Sequence, residues 1–448
     1  MTNPTSALLT DMYELTMIDA AMEHGIGERK CVFEVFNRRL PGGRRYAVVA
    51  GTARVLDELE RFRFDKAEIT WLRDKGVVRK PETLEFLGDY RFSGSIMGYA
   101  EGECFFPGSP VMTVEGTFAE AVVLETLVLS ILNYDCAVAA AASRMTIAAH
   151  GRPCLEMGAR RAHERAAVAA ARAAAVAGFV GTSDLEAART YAITPIGTAA
   201  HSFTLLHDDE ESAFNAQVAA LGPNTTLLVD TFDVERGVER AVAAARRGGG
   251  ELGAVRLDSG DLVSQAFVVR KQLDDLGATT TRITVTSDLD EYAIASLNAA
   301  PVDSYGVGTR VVTGSGHPTA ELVYKLVERE GPGGEMEPVE KKSMSKASVG
   351  GKKFAGRVLD KHGRAVEEIT VTTDDAEAAG EKLASLNARG LQVELVRKGV
   401  INESQRGTEA LRAATARHVV SRAELPHPAW RLSDGDPAIP TRHLSLCD

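Results

Sequence analysis

The sequence contains few cysteines, and their arrangement favours neither a disulfide nor a zinc site. Among 448 residues the cysteines are odd in number and far apart, and no two form a CxxC pair. Paired thiols and structural zinc therefore have no basis in the sequence, and an apolar core is expected to hold the fold together. The five cysteines are Cys31, Cys104, Cys136, Cys154 and Cys447.

Long hydrophobic runs are also missing. The longest apolar stretches are interrupted by Glu125 and Arg172, and none reaches the roughly 20 residues of a membrane-spanning helix. The opening residues MTNPTSALLTDMYELTM do not place a basic segment before an apolar run, as a secretory signal would. Together these absences predict a cytoplasmic protein.

Positive charge is in deficit. The formal net charge is −11, whereas a general binder of nucleic acid or of an anionic membrane needs a basic face. If the substrates are phosphates, their positive partners must be gathered locally. With 44% hydrophobic and 25% charged residues, the composition is that of a globular protein, and the length suggests more than one domain.

Several common catalytic motifs are absent as well. The chain has no Walker P-loop, no HExxH and no GxSxG elbow. These absences remove the usual sequence grounds for a P-loop nucleotidase, a zinc protease or an α/β-hydrolase. The function has to be sought in less familiar patterns.

The chain divides into three regions by pattern. Residues 1–135 mix short strand-like and helical runs without regular spacing, which indicates an α+β unit. Residues 136–330 repeat a strand-then-helix pattern. Residues 331–448 begin with a Gly/Glu-rich connector, then read as a β-hairpin around Lys361–Gly363 followed by a helix.

The middle region predicts an α/β barrel. The polar residues that end its strand-like runs include Asp230, Asp258, Ser287 and Thr309, which lie 28, 29 and 22 residues apart, as βα units require. Seven such runs fit a TIM-like barrel, whose chemistry sits at the carboxyl ends of the strands. An open doubly wound sheet is the alternative, although no run is followed by GxGxxG. The runs are RPCLEM, AGFVGTSD, AITPIGTAAHS, TTLLVDTFD, LGAVRLDSGD, RITVTSDLD and DSYGVGTR.

One strand end combines a cation with acids. In AVRLDSGDL, Arg256 and Asp258 point to the same face of the strand. A guanidinium in the barrel mouth can hold a planar carboxylate through two parallel hydrogen bonds. The alternative is a structural ion pair between Arg256 and Asp258, or a simple helix cap.

Two further segments favour ligand chemistry. In YGVGTRVVTGSG, Gly306, Gly308 and Thr309 follow the last predicted strand, where glycine amides often bind phosphate. In PIGTAAHSF, His201 follows another run. It is either a hydrogen-bonded structural residue or a nucleophile and proton carrier.

These segments together resemble the nicotinate phosphoribosyltransferase family over most of the chain. The resemblance implies a type II phosphoribosyltransferase fold, an incomplete TIM-like α/β barrel plus an α+β domain built from the N- and C-terminal segments. The C-terminal segment is then expected to pack with the N-terminal domain. The motifs, in the family's order, are LLTDMYELTM, RRAHERAAVAAARAAAVAGFVGTSD, GTAAHSF, VRLDSGDL and GVGTRVVT.

The resemblance also implies an activity. Such an enzyme, a ligase-type glycosyltransferase, joins nicotinate to phosphoribosyl diphosphate. It gives nicotinate mononucleotide and diphosphate in the salvage route to NAD. ATP is a co-substrate that phosphorylates a histidine, Mg²⁺ accompanies the diphosphate, and two subunits of a homodimer share each active site. No partner nucleic acid or membrane is implied.

Roles follow by position. His201 matches the phosphorylated histidine, and Asp258 is a carboxylate placed to stabilise positive charge on the ribose ring. Gly308 and Thr309 match contacts of phosphoribosyl diphosphate, and no protein residue is assigned as a metal ligand. Nicotinate is expected to contact Tyr13, Phe179, Thr198 and Arg256.

The chain departs from the family pattern within AGFVGTSD. Val180 replaces an acid and Asp184 an asparagine. Related nicotinamide-using enzymes carry an aspartate at the position of Ser183, so the serine favours the acid as substrate. The alternatives to this function are a nicotinamide-specific enzyme, a barrel aldolase or isomerase acting on phosphosugars, and a catalytically inactive ligand-binding regulator.

Overall fold

The computed structural model describes residues 5–341 and 349–446, which form two compact units. Unit 1 combines both ends of the chain, up to Ala139 and from His317 onward, and unit 2 comprises Ala140–Gly316. The domain boundaries predicted from the sequence lie after residues 135 and 330, whereas residues 317–330 lie in unit 1 and not with the barrel. Cys447 lies outside the described residues.

The N-terminal part of unit 1 alternates helices with short strands. The helix Lys66–Asp74 begins with a capping box. The Asp65 carboxylate accepts a hydrogen bond from the backbone amide of Glu68, and the Glu68 carboxylate accepts one from the backbone amide of Asp65. The elements are α1 (Met12–Glu23), β1 (Lys30–Asn37), β2 (Ala47–Val48), α2 (Thr52–Arg61), α3 (Lys66–Asp74), α4 (Pro81–Gly88), β3 (Ser95–Tyr99), β4 (Cys104–Phe105), β5 (Met112–Thr117), α5 (Phe118–Val122) and α6 (Glu125–Ala148).

Unit 2 repeats a strand-then-helix pattern. Carboxylates at the strand ends cap several of its helices, as Asp233 does by accepting from the Arg236 amide. The elements are β6 (Cys154–Glu156), α7 (Glu164–Val176), β7 (Gly181–Thr182), α8 (Leu185–Tyr191), α9 (His201–Leu206), α10 (Glu210–Leu221), β8 (Thr226–Leu228), α11 (Val234–Arg247), β9 (Ala254–Leu257), α12 (Leu262–Asp275), β10 (Arg282–Ser287), α13 (Glu291–Leu297), β11 (Ser304–Val307) and α14 (Thr309–Val312).

The C-terminal part completes unit 1. Its hairpin confirms the predicted turn, in which the Gly363 amide donates to the Asp360 carbonyl at 3.0 Å. The elements are β12 (Leu322–Glu330), β13 (Met336–Pro338), β14 (Lys353–Leu359), β15 (Ala365–Thr372), α15 (Ala376–Ser385), β16 (Ala388–Gly390), β17 (Gln392–Arg397), β18 (Val400–Ile401), α16 (Gly407–Glu424) and β19 (Thr441–Ser445).

Two large sheets and the two-stranded pair β2-β4 organise unit 1. The larger is antiparallel, in the order β13-β12-β1-β5-β3-β17-β18, so three N-terminal strands lie between two pairs of C-terminal strands. Its central strand β1 is buried along nearly its whole length. The smaller sheet has the order β16-β14-β15-β19, and the parallel pairing of β19 with β15 places the end of the described chain in that sheet.

A buried charge cluster also joins the two chain ends in unit 1. The fully buried Arg357 contacts Glu368 at 2.7 Å and Glu424 at 3.0 Å. Arg389 bridges Glu103 and Glu424, each at 2.7 Å. Charges taken out of water need such partners, so these residues fix the C-terminal segment against the N-terminal one.

The longest apolar helical stretch is a core element. Phe118–Ala148 is long and apolar enough to cross a membrane by length and composition, and 67% of its most apolar window is buried inside the protein. The stretch contains the start of α6 at Glu125, the residue at which the sequence analysis expected it to be interrupted. Its burial is that of a core helix in a folded protein.

Unit 2 confirms the predicted incomplete α/β barrel. Its six strands are all parallel, in the order β7-β6-β11-β10-β9-β8. The first strand along the chain, β6, pairs with the last, β11, so the sheet curls round and stays open between β7 and β8. The remaining predicted run, AITPIGTAAHS, forms only an isolated bridge, from Pro195 to Thr182. Proline lacks the amide proton that a ladder needs, which explains why this strand prediction was wrong.

Candidate active site

The carboxyl ends of β8 and β9 bring two aspartates together. Asp230 follows β8, and its side chain is 3% exposed. Its Oδ2 accepts from the backbone amide of Asp258 at 2.8 Å and from the Ser259 hydroxyl at 2.9 Å. Its Oδ1 is buried without a hydrogen-bond partner among the described residues. Asp230 therefore fixes the turn that carries Asp258.

Asp258 connects three of the strand ends. Its Oδ1 accepts a hydrogen bond from the Thr286 hydroxyl on β10. Its Oδ2 lies 3.8 Å from Nε2 of His201, and the side chain is 36% exposed. One oxygen is thus anchored by a neighbouring strand while the other remains accessible at the mouth of the barrel.

His201 is the first residue of α9 and faces both aspartates. Its Nδ1 lies 3.0 Å from the Thr231 hydroxyl, which orients the ring. Its Nε2 lies 3.9 Å from Asp230 and 3.8 Å from Asp258, and the side chain is 40% exposed. The histidine is both held by a hydrogen bond and open to a reactant.

Arg256 extends from β9 near the same carboxylates. Burial lowers the pKa of its guanidinium, and the charges of Asp258 and Asp230 oppose this effect. Its Nε is buried without a hydrogen-bond partner, and no described carboxylate lies within ion-pair distance of the group. The structural Arg256–Asp258 ion pair left open by the sequence is therefore not formed. A half-buried cation without a direct partner is suited to an incoming anion.

The glycine-rich segment follows β11 in close packing. A Cβ on Gly306 would lie 2.5 Å from Cγ2 of Thr286, so only glycine fits beside β10. A Cβ on Gly158 would lie 2.2 Å from Cγ1 of Val312, so the turn after β6 packs directly on α14. The backbone of Gly308 leads into Thr309, the first residue of α14. These contacts place the segment at the same edge of the sheet as Asp258.

The turn after β6 also supplies positive charge. Arg160 and Arg161 are exposed there, and Arg160 is close enough to Arg256 to lower the pKa of its guanidinium further. Cations thus gather at the strand ends of an acidic protein, as the sequence analysis required of a phosphate-binding site. Arg160 was not singled out, because an arginine in a loop has no distinctive sequence signal.

The three other residues predicted to contact nicotinate lie on separate elements of the fold. Phe179 is buried between α7 and β7, and Thr198 is exposed in the segment that precedes α9. Tyr13 belongs to unit 1, where it is 45% exposed on α1. Burial raises the pKa of its phenol, and so do the charge of Glu125 and a hydrogen bond to it. Within unit 2, the structure brings Arg256, Asp258, Thr309 and His201 to one edge of the barrel sheet.

The two departures from the family pattern have defined surroundings. Val180 is exposed. The Asp184 carboxylate accepts from the Ala187 amide at 2.8 Å and so caps α8. An asparagine could cap the helix in the same way, so the aspartate mainly adds a charge to the helix N-terminus.

Two acidic residues were missed as site residues. Asp230 was recognised only as the end of a strand, because its bonds to residues 28 and 29 positions away are not visible in a sequence. Glu156, at the end of β6, is buried; Thr182 donates to it at 2.5 Å and the Gly158 amide donates at 2.5 Å. Burial raises its pKa despite these bonds. It organises the strand ends of β6 and β7.

Comparisons with known proteins identify the family of the chain. A family model described as the nicotinate phosphoribosyltransferase N-terminal domain matches residues 8–133, and one described as the nicotinate phosphoribosyltransferase family matches residues 153–361. Nicotinate phosphoribosyltransferase pncB1 of Mycobacterium tuberculosis is 52% identical over 98% of this chain and 95% of its own. The nicotinate phosphoribosyltransferase of Bacillus subtilis is 35% identical over 84% of this chain and 78% of its own.

Solved structures show the same fold. Human nicotinic acid phosphoribosyltransferase matches with a TM-score of 0.81 at 24% identity, covering 96% of each chain. A nicotinate-nucleotide pyrophosphorylase from Pyrococcus furiosus matches with a TM-score of 0.74 at 22% identity, covering 94% of this chain and 95% of its own. The sequence relatives and family models together show that the chain belongs to the nicotinate phosphoribosyltransferase family.

Proposed function

We propose that this protein is an ATP-coupled nicotinate phosphoribosyltransferase of NAD salvage. It joins nicotinate to phosphoribosyl diphosphate and releases nicotinate mononucleotide and diphosphate. The observation that carries the proposal is the partnerless guanidinium of Arg256 at the barrel mouth. It lies beside two carboxylates and at the same sheet edge as a glycine-rich turn, which is the set of groups that an aromatic acid and a sugar phosphate require.

Arg256 binds the carboxylate of nicotinate. A guanidinium and a carboxylate form two parallel, charge-assisted hydrogen bonds, which fix the plane of the ring as well as its position. Thr198 contributes a further polar contact, and Phe179 an aromatic surface. Tyr13 closes over the ring, and in a homodimer with shared active sites it does so from the partner subunit. Ser183 leaves room for the acid without adding a negative charge beside it.

Phosphoribosyl diphosphate binds across the strand ends. The 5-phosphate sits at Gly308 and Thr309, where backbone amides face an anion. When the bond between C1 of ribose and the diphosphate breaks, positive charge develops on the sugar ring. The accessible oxygen of Asp258 stabilises that charge, and the ring nitrogen of nicotinate attacks C1. Positioning of the two substrates contributes the rest.

The residues present also fit Mg²⁺ bound through the diphosphate. The described residues contain no group of three metal-ligating side chains, so a closed protein site is not formed. Magnesium commonly keeps several waters and binds one or two carboxylates together with substrate phosphates. The Asp258 carboxylate, which is 36% exposed at the barrel mouth, would supply such an oxygen. Bound there, Mg²⁺ would neutralise charge on the leaving diphosphate.

His201 accepts a phosphoryl group from ATP. Its Nδ1 is fixed by Thr231, so Nε2 is the free nitrogen that attacks the γ-phosphorus while the bond to ADP breaks. The phosphohistidine adds negative charge and acceptor oxygens beside the diphosphate site, and its hydrolysis to inorganic phosphate resets the loop. ATP hydrolysis is thereby coupled to product formation in the cytoplasm.

A phosphosugar aldolase of the Schiff-base type is disfavoured by composition. Unit 2 contains one lysine, Lys271, which lies on α12 and pairs with Asp275 at 2.6 Å. No lysine therefore ends a barrel strand. The sequence between residues 140 and 316 lacks the amine nucleophile that this chemistry needs.

The direct test is product analysis. Purified protein is incubated with nicotinate, phosphoribosyl diphosphate and Mg²⁺, with and without ATP, and the mononucleotide is quantified by chromatography. Mononucleotide formation that ATP accelerates is expected, with one inorganic phosphate released per coupled turnover. Absence of the mononucleotide under all conditions contradicts the transferase, whereas formation that ignores ATP contradicts only the coupling.

A further inference from the structure

Unit 1 contains a cavity that has no part in the proposed transferase site. It has a volume of about 390 Å³, within the size range of small-molecule pockets. Most of its wall is apolar and comes from one face of α1 and from α5 and β12. The apolar side chains include Met17, Ala20, Ile26, Phe118 and Leu326.

The cavity also carries positive charge. Arg29 and Arg329 line it together with Cys31. Burial raises the pKa of the Cys31 thiol to about 11, and both guanidinium groups act against that rise, so both charges lie close to the sulfur. The surroundings of these two cations decide what the cavity can bind.

The two arginines differ in their partners. Arg329 forms an ion pair with Glu337 at 3.1 Å, so most of its charge is compensated. Glu330 is an acid near the Cys31 thiol, and its side chain accepts a hydrogen bond from the Lys30 amide at 3.3 Å. The Arg29 side chain forms no hydrogen bond or ion pair with any residue of ranges 5–341 and 349–446. One cation therefore faces the cavity without a counter-ion.

We propose that this cavity binds a small organic monocarboxylate with an apolar body, its carboxylate held by Arg29 and its body seated against α1 and Phe118. The apolar wall gains from removing a hydrocarbon from water, and a single uncompensated guanidinium selects one negative charge. The inference goes beyond the transferase activity and does not depend on it.

Met17 and Ala20 belong to α1, which also carries Tyr13. A bound carboxylate therefore contacts the helix that presents the tyrosine proposed to close over nicotinate.

The binding test uses calorimetric titration of the purified full chain. The probe is 4-phenylbutyrate, with 4-phenylbutanol as its uncharged counterpart. Arg29→Gln removes the free cation, and Ala20→Phe fills the cavity from an exposed helix position. Arg63→Gln, an exposed arginine that does not line the cavity, is the matched control. Circular dichroism verifies that each variant is folded.

Saturable binding of 4-phenylbutyrate is expected. The Kd for 4-phenylbutanol should be at least about tenfold higher, a difference of about 1.4 kcal/mol in binding free energy. Arg29→Gln should raise the Kd for 4-phenylbutyrate about tenfold or more, and Ala20→Phe should abolish its binding. Arg63→Gln should leave the Kd unchanged. Absence of binding to the wild type at millimolar probe overturns the proposal, and so does binding that both cavity variants retain. Because the titration needs no turnover, its result is independent of whether nicotinate is the substrate.

Discussion

Replacing Arg256 by methionine separates a ligand-binding arginine from a structural one. The side chain lies on β9, its Nε is buried without a partner, and burial lowers the pKa of the guanidinium. Methionine has similar length and no polar group. In the free protein the change removes a buried donor whose unsatisfied state costs about 1–3 kcal/mol, and it removes long-range attraction to Asp258 and Asp230. These effects oppose each other, so the free energy of unfolding should stay within about 1 kcal/mol of the wild type.

The cost should appear when nicotinate binds. Two charge-assisted hydrogen bonds contribute about 1.5–3 kcal/mol each, so their loss should raise the nicotinate requirement by about 100-fold to 10,000-fold. Arg256→Lys keeps the charge and loses the paired geometry, which should cost about one such bond, or about 10- to 150-fold.

The assay combines urea unfolding with initial rates of mononucleotide formation over a range of nicotinate concentrations. Arg282→Met is the matched control, because Arg282 is exposed at the opposite, amino end of the neighbouring strand β10. It should change neither quantity. A loss of about 3 kcal/mol of stability in Arg256→Met, together with an unchanged KM for nicotinate, would show that the arginine is structural and refute the reasoning.

Three further predictions test other groups. His201→Ala should abolish labelling by γ-labelled ATP, while His207→Ala on the same helical segment should keep it; a labelled His201→Ala protein removes the histidine from this role. Burial raises the pKa of Glu14 to about 7, above its usual value near 4.5, so native stability should fall as pH rises between these values. Glu14→Gln should therefore gain about 2 kcal/mol relative to wild type on going from pH 5 to pH 8 in urea unfolding, and an offset that is equal at both pH values contradicts it. Arg357→Met leaves Glu368 and its neighbours without their cation, so it should lose about 3–5 kcal/mol of stability, and an unchanged urea midpoint would contradict the buried cluster.

The barrel could be predicted because its pattern is local and repeated. Parallel strands buried on both faces read as short apolar runs, and the spacing of Asp230, Asp258 and Ser287 reflects the length of one βα unit. The failure at AITPIGTAAHS has an equally local cause, since Pro195 cannot donate to a ladder. The run resembled a strand by composition while lacking one of the amides that a strand needs.

The boundary after residue 330 could not be read from the pattern. Apolar and polar residues alternate along β12 in the same way whichever sheet the strand joins. Its antiparallel pairing with β1 depends on residues almost 300 positions away in the chain. Cys31 pairs with Arg329, which lies 298 positions further along the chain, so the sequence carries no local signal of this contact. Contacts of this kind are decided by tertiary packing.

Within the site, the sequence identified residue types but not their pairing. Whether Arg256 pairs with Asp258 or stays open depends on differences of a few ångströms at a strand end. Asp230 likewise acquires its role only when its carboxylate meets the Asp258 amide and the Ser259 hydroxyl. The roles of Tyr13 and Phe179 come from the family resemblance and stay predictions.

The central claim is that a guanidinium at the barrel mouth selects an aromatic acid for transfer to a phosphorylated ribose. The most direct measurement compares nicotinate with nicotinamide as the base, at saturating phosphoribosyl diphosphate and ATP, by kcat/KM for mononucleotide formation. The account predicts a preference for nicotinate of at least about 100-fold, since the amide forfeits the charge-assisted pair with Arg256. Equal use of the two bases, or a preference for nicotinamide, would contradict it.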